Sequence, residues 1–199
     1  MKINYEKTII PILLGILPIV GAMVGSYFTY KYSQNLFIVQ RQIELREKSY
    51  SEIMGVKRPI IQTTQTIAEA KILTEYYNFR FKYISGDQFD RDFAIKENQR
   101  MLELIPQFSS LSRELFESLG SVRISYKINK NLETKIQELY DFKVFNVEAP
   151  DNKLVKTDED LNKWKEQKAK ELDVFLQENI KKKTDDLLLL LFEQIRIKG

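Results

Sequence analysis

Hydrophobic residues are distributed along this chain in two ways. From Thr8 to Tyr30 they form one block, TIIPILLGILPIVGAMVGSYFTY, without a charge. Beyond it they recur every three or four residues among charged positions, the period of an amphipathic helix. As a helix rising about 1.5 Å per residue, the block spans roughly 34 Å, against a bilayer hydrocarbon core of about 30 Å. Lys7 and Lys31 close it, and Tyr27, Phe28, Tyr30 and Tyr32 crowd one end, where an interfacial aromatic belt belongs. The block is expected to be a transmembrane helix. A cleaved signal peptide is the competing reading, since Val20-Gly21-Ala22 offers a cleavage site after a basic start. The apolar run continues past that site, however, and would leave the mature chain with an exposed hydrophobic tail.

After the block, Tyr32, Leu36, Val39, Ile43, Arg46, Tyr50 and Ile53 follow alternating steps of four and three, about three heptads with Arg46 as the single charge in the seam. This predicts that the membrane helix continues to about Met54 as a stalk. Leu36, Val39 and Ile43 would line its seam, and Arg46 and Tyr50 would set its register. Gly55 and Pro59 are expected to end it. A second helix should start at Pro59 and stop near Gly86. Asp87 should cap a third, kinked or restarted at Pro106 and ending at Gly120, and a fourth should run from Ser121 to about Phe145. The stretch 146–156, with Pro150-Asp151-Asn152, is the most loop-like. Thr157-Asp158-Glu159-Asp160 has the cap and acidic first turn of a helix start. The last helix passes Trp164, Leu172, Phe175 and Ile180, with an interruption expected around 181–186. Period-two alternation occurs only at Phe79–Tyr83, which reads as a helix end. The expected fold is all-α: a transmembrane anchor over 1–31, then a cytoplasmic helical stalk and bundle over 32–199.

The composition of the apolar block sharpens this picture. It holds three of the seven glycines (Gly15, Gly21, Gly25) and two of the five prolines (Pro11, Pro18). Gly21 and Gly25 form a G-x-x-x-G, and Ala22 and Ser26 add a second small pair at the same spacing. Such residues let helix backbones approach closely in lipid, so they are candidates for packing between copies of the chain. Pro11 and Pro18 each remove a backbone donor and are expected to bend the helix. Kinked helices with small residues suit a ring around an opening, and also a plain dimer. The N-terminal flank carries Lys2 and Lys7, and the C-terminal flank carries Lys31, Arg41, Arg46 and Lys48. The excess of bases leads to the expectation of a single pass with the large C-terminal part in the cytoplasm.

Charge and chemistry exclude much else. The chain has no Cys and no His, which removes disulfides, thiol nucleophiles, His-based general bases and the usual zinc sites. With 31 basic and 28 acidic groups, a net +3 is too small to imply nucleic acid as a partner. No glycine-rich phosphate loop occurs. Three acidic clusters, Asp87/Asp90/Asp92, Asp158/Glu159/Asp160 and Asp185/Asp186, invite a metal reading. All lie where helices are expected to start, and acids there complement the helix dipole. Pro150-Asp151 with Glu166-Gln167-Lys168 spells a PD…ExK nuclease pattern, but its second half falls in a predicted helix rather than on a strand. The aromatic-basic stretch Tyr76–Tyr83 reads as core more readily than as a stacking surface for single strands. Lys181–Lys183 reads as a solvated face. Leu187–Phe192 is apolar all round and must be covered, either at the bundle centre or by another subunit. No catalytic residue and no cofactor is expected. The partners expected are the lipid bilayer, further copies of the chain and a cytoplasmic protein.

One known architecture resembles this layout. The segment Gly21–Tyr30 running into Leu36–Tyr50, followed by a helical domain, is similar to the small membrane accessory proteins of type VI-B CRISPR systems. The resemblance covers the whole layout without a specific motif. It implies assembly into a membrane pore during antiviral defence. That family's divergent Arg-x4–6-His nuclease motif has no counterpart here: Arg123-Ile-Ser-Tyr-Lys-Ile-Asn129 lacks the His. The resemblance therefore implies a non-enzymatic, pore-forming or membrane-perturbing effector. A membrane-anchored helical module that recruits or regulates a cytoplasmic partner is the alternative.

Overall fold

A computed structural model describes residues 5–141 and 143–196 of the chain, with side chains for 18, 20–141 and 143–196. Helix α1 (Tyr5–Arg80) ends in a π turn (Phe81–Ser85). It is followed by α2 (Gln88–Ser125), α3 (Lys130–Tyr140) and α4 (Asp158–Phe175), which passes through a second π turn (Leu176–Lys181) into α5 (Lys182–Arg196). No strand occurs among the described residues. The chain divides into two compact units, Met1–Glu44 and Leu45–Gly199, with the division inside α1. Residues 32–44, assigned from sequence to the cytoplasmic part, thus group with the N-terminal unit.

Local chemistry sets most helix starts. The Asp87 carboxylate accepts from the Phe89 amide (3.0 Å) and starts α2, and the Asn129 side chain accepts from the Leu132 amide (2.8 Å) and starts α3. Thr157 and Asp160 form a reciprocal capping box: the Thr157 hydroxyl accepts from the Asp160 amide, and the Asp160 carboxylate accepts from the Thr157 amide. Gly86 follows the first π turn at φ 64°, in the left-handed region where a Cβ would be strained.

Helix ends depart from the sequence expectation. The stalk does not stop at Gly55 and Pro59, and no second helix begins there, because α1 runs through both to Arg80. A helical Gly costs about 1 kcal/mol and a Pro about 3. Burial of Ile53, Val56, Ile60, Ala68 and Ile72 on one helix outweighs this, at about 1.5–3 kcal/mol for each large side chain. The carbonyl that Pro59 leaves without a donor belongs to Gly55, which is exposed to water. Likewise α2 continues through Pro106 and Gly120 to Ser125, so the expected fourth helix from Ser121 is reduced to Lys130–Tyr140. The last helix is not interrupted at 181–186. Leu172, Leu176, Ile180 and Thr184 are buried at steps of four, which drifts about 40° per step in an ideal α-helix. The wider π turn adds a residue and keeps these positions on the inner side.

Side-chain pairs fix how the helices of the Leu45–Gly199 unit run. Arg46 and Glu52 meet Ser125 and Ser118, while Arg80 meets Asp90, so α2 is antiparallel to α1. Tyr76 meets Asn162, and Lys57 meets Asp185, so α4 and α5 are antiparallel to α1 as well. Arg123 pairs with Glu133, and Phe116 stacks on Tyr140 (5.3 Å), so α3 returns along α2. The result is a four-helix bundle whose third helix is short; the segment 141–157 completes that side with Val147, Pro150 and Val155 turned inward. Leu119, Leu132, Ile136, Leu187 and Leu191 lie fully buried at its centre. Of the apolar run Leu187–Phe192, three leucines enter the core, while Leu189 and Phe192 stay exposed.

Candidate functional site

In the N-terminal unit the described side chains find no core. Each large apolar residue from Val20 to Val39 is exposed, from 49% at Val24 to 70% at Met23. Pro18, Ala22 and Ser26 are also exposed, and a Cβ built on Gly21 or Gly25 would meet nothing within 4 Å. The contacts present are local. Tyr27 packs edge-on against Phe28 (5.9 Å), Lys31 lies over the Tyr27 ring, and the Gln34 amide donates to the Tyr30 hydroxyl. Water alone is a poor solvent for such a surface, because soluble chains rarely expose a contiguous apolar patch of this kind. Among the described residues no helix is long and apolar enough to cross a membrane. Residues 8–17 and 19 of the uncharged block, Pro11 and Gly15 among them, lie outside the residues whose side-chain surroundings are described.

The predicted seam divides between the two units. Leu36 and Val39 are exposed, and Ile43 is half-buried. Arg46 and Tyr50 face helices of their own chain: Tyr50 packs on the core and approaches Phe192, with ring centres 6.3 Å apart. Arg46 is 6% exposed and pairs with no carboxylate among the described residues. Its Nε–H donates to the Ser125 carbonyl (2.8 Å), and its guanidinium lies over the Tyr126 ring (5.6 Å). Ser125 is the last residue of α2, so the cation meets the negative end of a helix dipole and one of its unpaired carbonyls. The Tyr126 hydroxyl donates back to the Arg46 carbonyl (2.8 Å), and the Gln194 amide clamps both the N–H and the C=O of Lys127. The C-terminus of α2 is thereby tied to α1 and α5.

Burial pushes the Tyr126 phenol far above its ordinary range, although the Arg46 charge pulls the other way. A group whose pKa is raised on folding contributes stability that is present below its unfolded pKa and lost as pH rises above it. The window opens at the ordinary tyrosine value of about 10. Stability is therefore expected to fall as pH rises above about 10, and less steeply in Tyr126→Phe. Denaturant titrations between about pH 8 and about pH 11.5, which bracket the phenol's ordinary range, check this, and parallel slopes in the two proteins would contradict it.

At the other end of the bundle, Arg80 bridges two helix starts. Its Nη1 donates to Asp90 (3.1 Å) and its Nε to Asp158 (2.9 Å). Asp90 is 1% exposed and also accepts from the Ser85 hydroxyl. The other acids of the three clusters are engaged structurally as well. Asp87 and Asp160 cap helices, Asp92 accepts from Gln88, Glu159 pairs with Lys163, Asp185 with Lys57, and Asp186 with Lys135. Among the described residues no three acids gather as a metal site. Asp151 accepts from the Lys153 amide in the 141–157 segment, while Glu166 and Lys168 lie on α4 with Lys168 paired to Glu171. The PD…ExK spelling therefore has no strand beneath it. Tyr76 and Phe79 are core residues, packed with Val155 and Leu161. Sequence reading missed the role of Arg80, whose partners lie 10 and 78 residues away. Compared with known proteins, the chain matches no family, no curated protein and no solved structure.

Proposed function

We propose that this is a non-enzymatic, single-pass membrane protein that self-assembles through the N-terminal part of α1 and perturbs or opens the bilayer, with its helical bundle in the cytoplasm. One observation carries the reading: an uncharged 23-residue block whose described side chains, continuing to Val39, are all left exposed by the chain's own fold. Lipid covers such a surface in part, and close packing of copies at Gly21, Ala22, Gly25 and Ser26 covers the rest. In the setting that the type VI-B resemblance suggests, this work would belong to antiviral defence in a bacterial inner membrane.

The test is particle size in nonionic detergent, together with dye release from vesicles. The wild type is expected to form oligomers at micromolar concentration. Gly21→Ile/Gly25→Ile is expected to weaken association by about tenfold or more, about 1.4 kcal/mol, and to lower dye release with it. A strictly monomeric wild type overturns the proposal. The second reading, an anchored interaction module, draws support from the self-contained Leu45–Gly199 unit and its outward Ile124 (86% exposed). It expects a foreign membrane anchor to restore function, whereas assembly through α1 expects that swap to abolish it.

A further inference from the structure

The short third helix leaves a space in the bundle. Beyond Tyr140, the groove between α1 and α2 is roofed by residues 144–147 instead of a helix, and a cavity of about 360 Å³ remains there. Its most buried lining is Thr64, Ala68 and Val147, and its sides are Met101, Ile105 and Phe108. The Thr64 hydroxyl is already donated to the Ile60 carbonyl (2.7 Å), so the interior offers an apolar surface. Lys71 is the one ionisable side chain among the lining residues. Its ammonium carries three N–H groups, of which Glu75 takes one at 2.6 Å. Around the mouth, Ile105 and Val144 are exposed, with Leu102 beside them.

We propose that this cavity binds a free long-chain fatty acid, with its tail between α1, α2 and the 144–147 segment and its carboxylate at Lys71. The volume is at the small end of ligand cavities, which suits one chain and not the two of a phospholipid. An apolar body whose rim carries one cation, shared with Glu75 (2.6 Å), calls for an apolar ligand with a single anionic head that takes the ammonium's remaining N–H groups. Met101 adds an adaptable wall. This site lies wholly within the Leu45–Gly199 unit and does not depend on the membrane role of the N-terminal unit.

The test uses the full chain in phosphatidylcholine nanodiscs, a photoreactive hexadecanoic acid as probe, and peptide mapping of the adducts. Labelling is expected on peptides holding 101–108 and 144–147. Unlabelled hexadecanoic acid should compete about threefold better than hexadecanol, the size of a half-exposed charge pair. Lys71→Gln should erase that preference. Ala68→Phe should fill the floor and remove the labelling. Because a bulky residue there can disturb the core, Ile105→Glu at the open rim is the second variant, and it should lower labelling several-fold with the unfolding midpoint unchanged. Adducts confined to residues 1–44, equal competition by acid and alcohol, or full labelling of a folded Ile105→Glu protein overturns the proposal.

Discussion

Replacing Arg80 by methionine is expected to lower the stability of the Leu45–Gly199 unit by about 2–4 kcal/mol. The reason is the carboxylate left behind. Asp90 is 1% exposed, and after the change the Ser85 hydroxyl would be its one side-chain partner among the described residues. Removing one partner of a buried ion pair typically costs about 3–5 kcal/mol; the Arg80 side chain is 34% exposed, which lets water reach its end of the pair and reduces the figure. Asp158, 52% exposed, contributes less, and Asp158→Asn should cost below about 1 kcal/mol. The double variant Arg80→Met/Asp90→Leu should recover much of the loss, because no charge remains buried. Denaturant unfolding in detergent, followed by the single tryptophan Trp164 that packs against both core clusters, measures these variants together with Asp90→Leu alone and the wild type. Additive effects of the Arg80 and Asp90 changes would show that the two are not coupled.

The second large effect is expected at Arg46. Arg46→Ala should cost about 2–3 kcal/mol, through loss of a charged hydrogen bond to the Ser125 carbonyl and of the contact with the Tyr126 ring. The removed side chain is itself an unneutralised buried cation, so the loss stays below that of a buried carboxylate pair. Arg46→Lys keeps the charge but has no planar group to lie on the ring, and should fall between wild type and Arg46→Ala. The same unfolding experiment checks both. If Arg46→Ala left stability unchanged while altering particle size, Arg46 would act in assembly rather than in the bundle.

The features legible in sequence were those set by chemistry within a few residues. Asp87 and Thr157 start helices as expected, because a cap is a local hydrogen bond. The 146–156 loop and the helix end after Phe79 follow for the same reason. Gly55, Pro59 and Gly120 read as helix ends and are not, since propensity penalties of about 1–3 kcal/mol are decided by burial that a linear pattern does not contain. The heptads through Arg46 and Tyr50 were legible as an inward stripe, but the identity of the facing surface was not. It is α2 and α5 of the same chain from Arg46 onward. The exposed candidates Gly21, Ala22, Gly25 and Ser26 stood out because charge is absent around them. The cavity at Ala68 did not, because three separate segments build it.

The π turn at Leu176–Lys181 bears on tolerance to changes in chain length. A loop absorbs a one-residue deletion as a small change in reach. In this helix, removing one residue from the turn would act as a rotation of about 100°. Leu161 and Leu172 on one side, and Leu187, Leu188 and Leu191 on the other, could then no longer face the same core together. The leucine-rich end of the molecule is thus phased to the rest by a single extra residue, and insertions or deletions that the 141–157 segment can accept should be forbidden there.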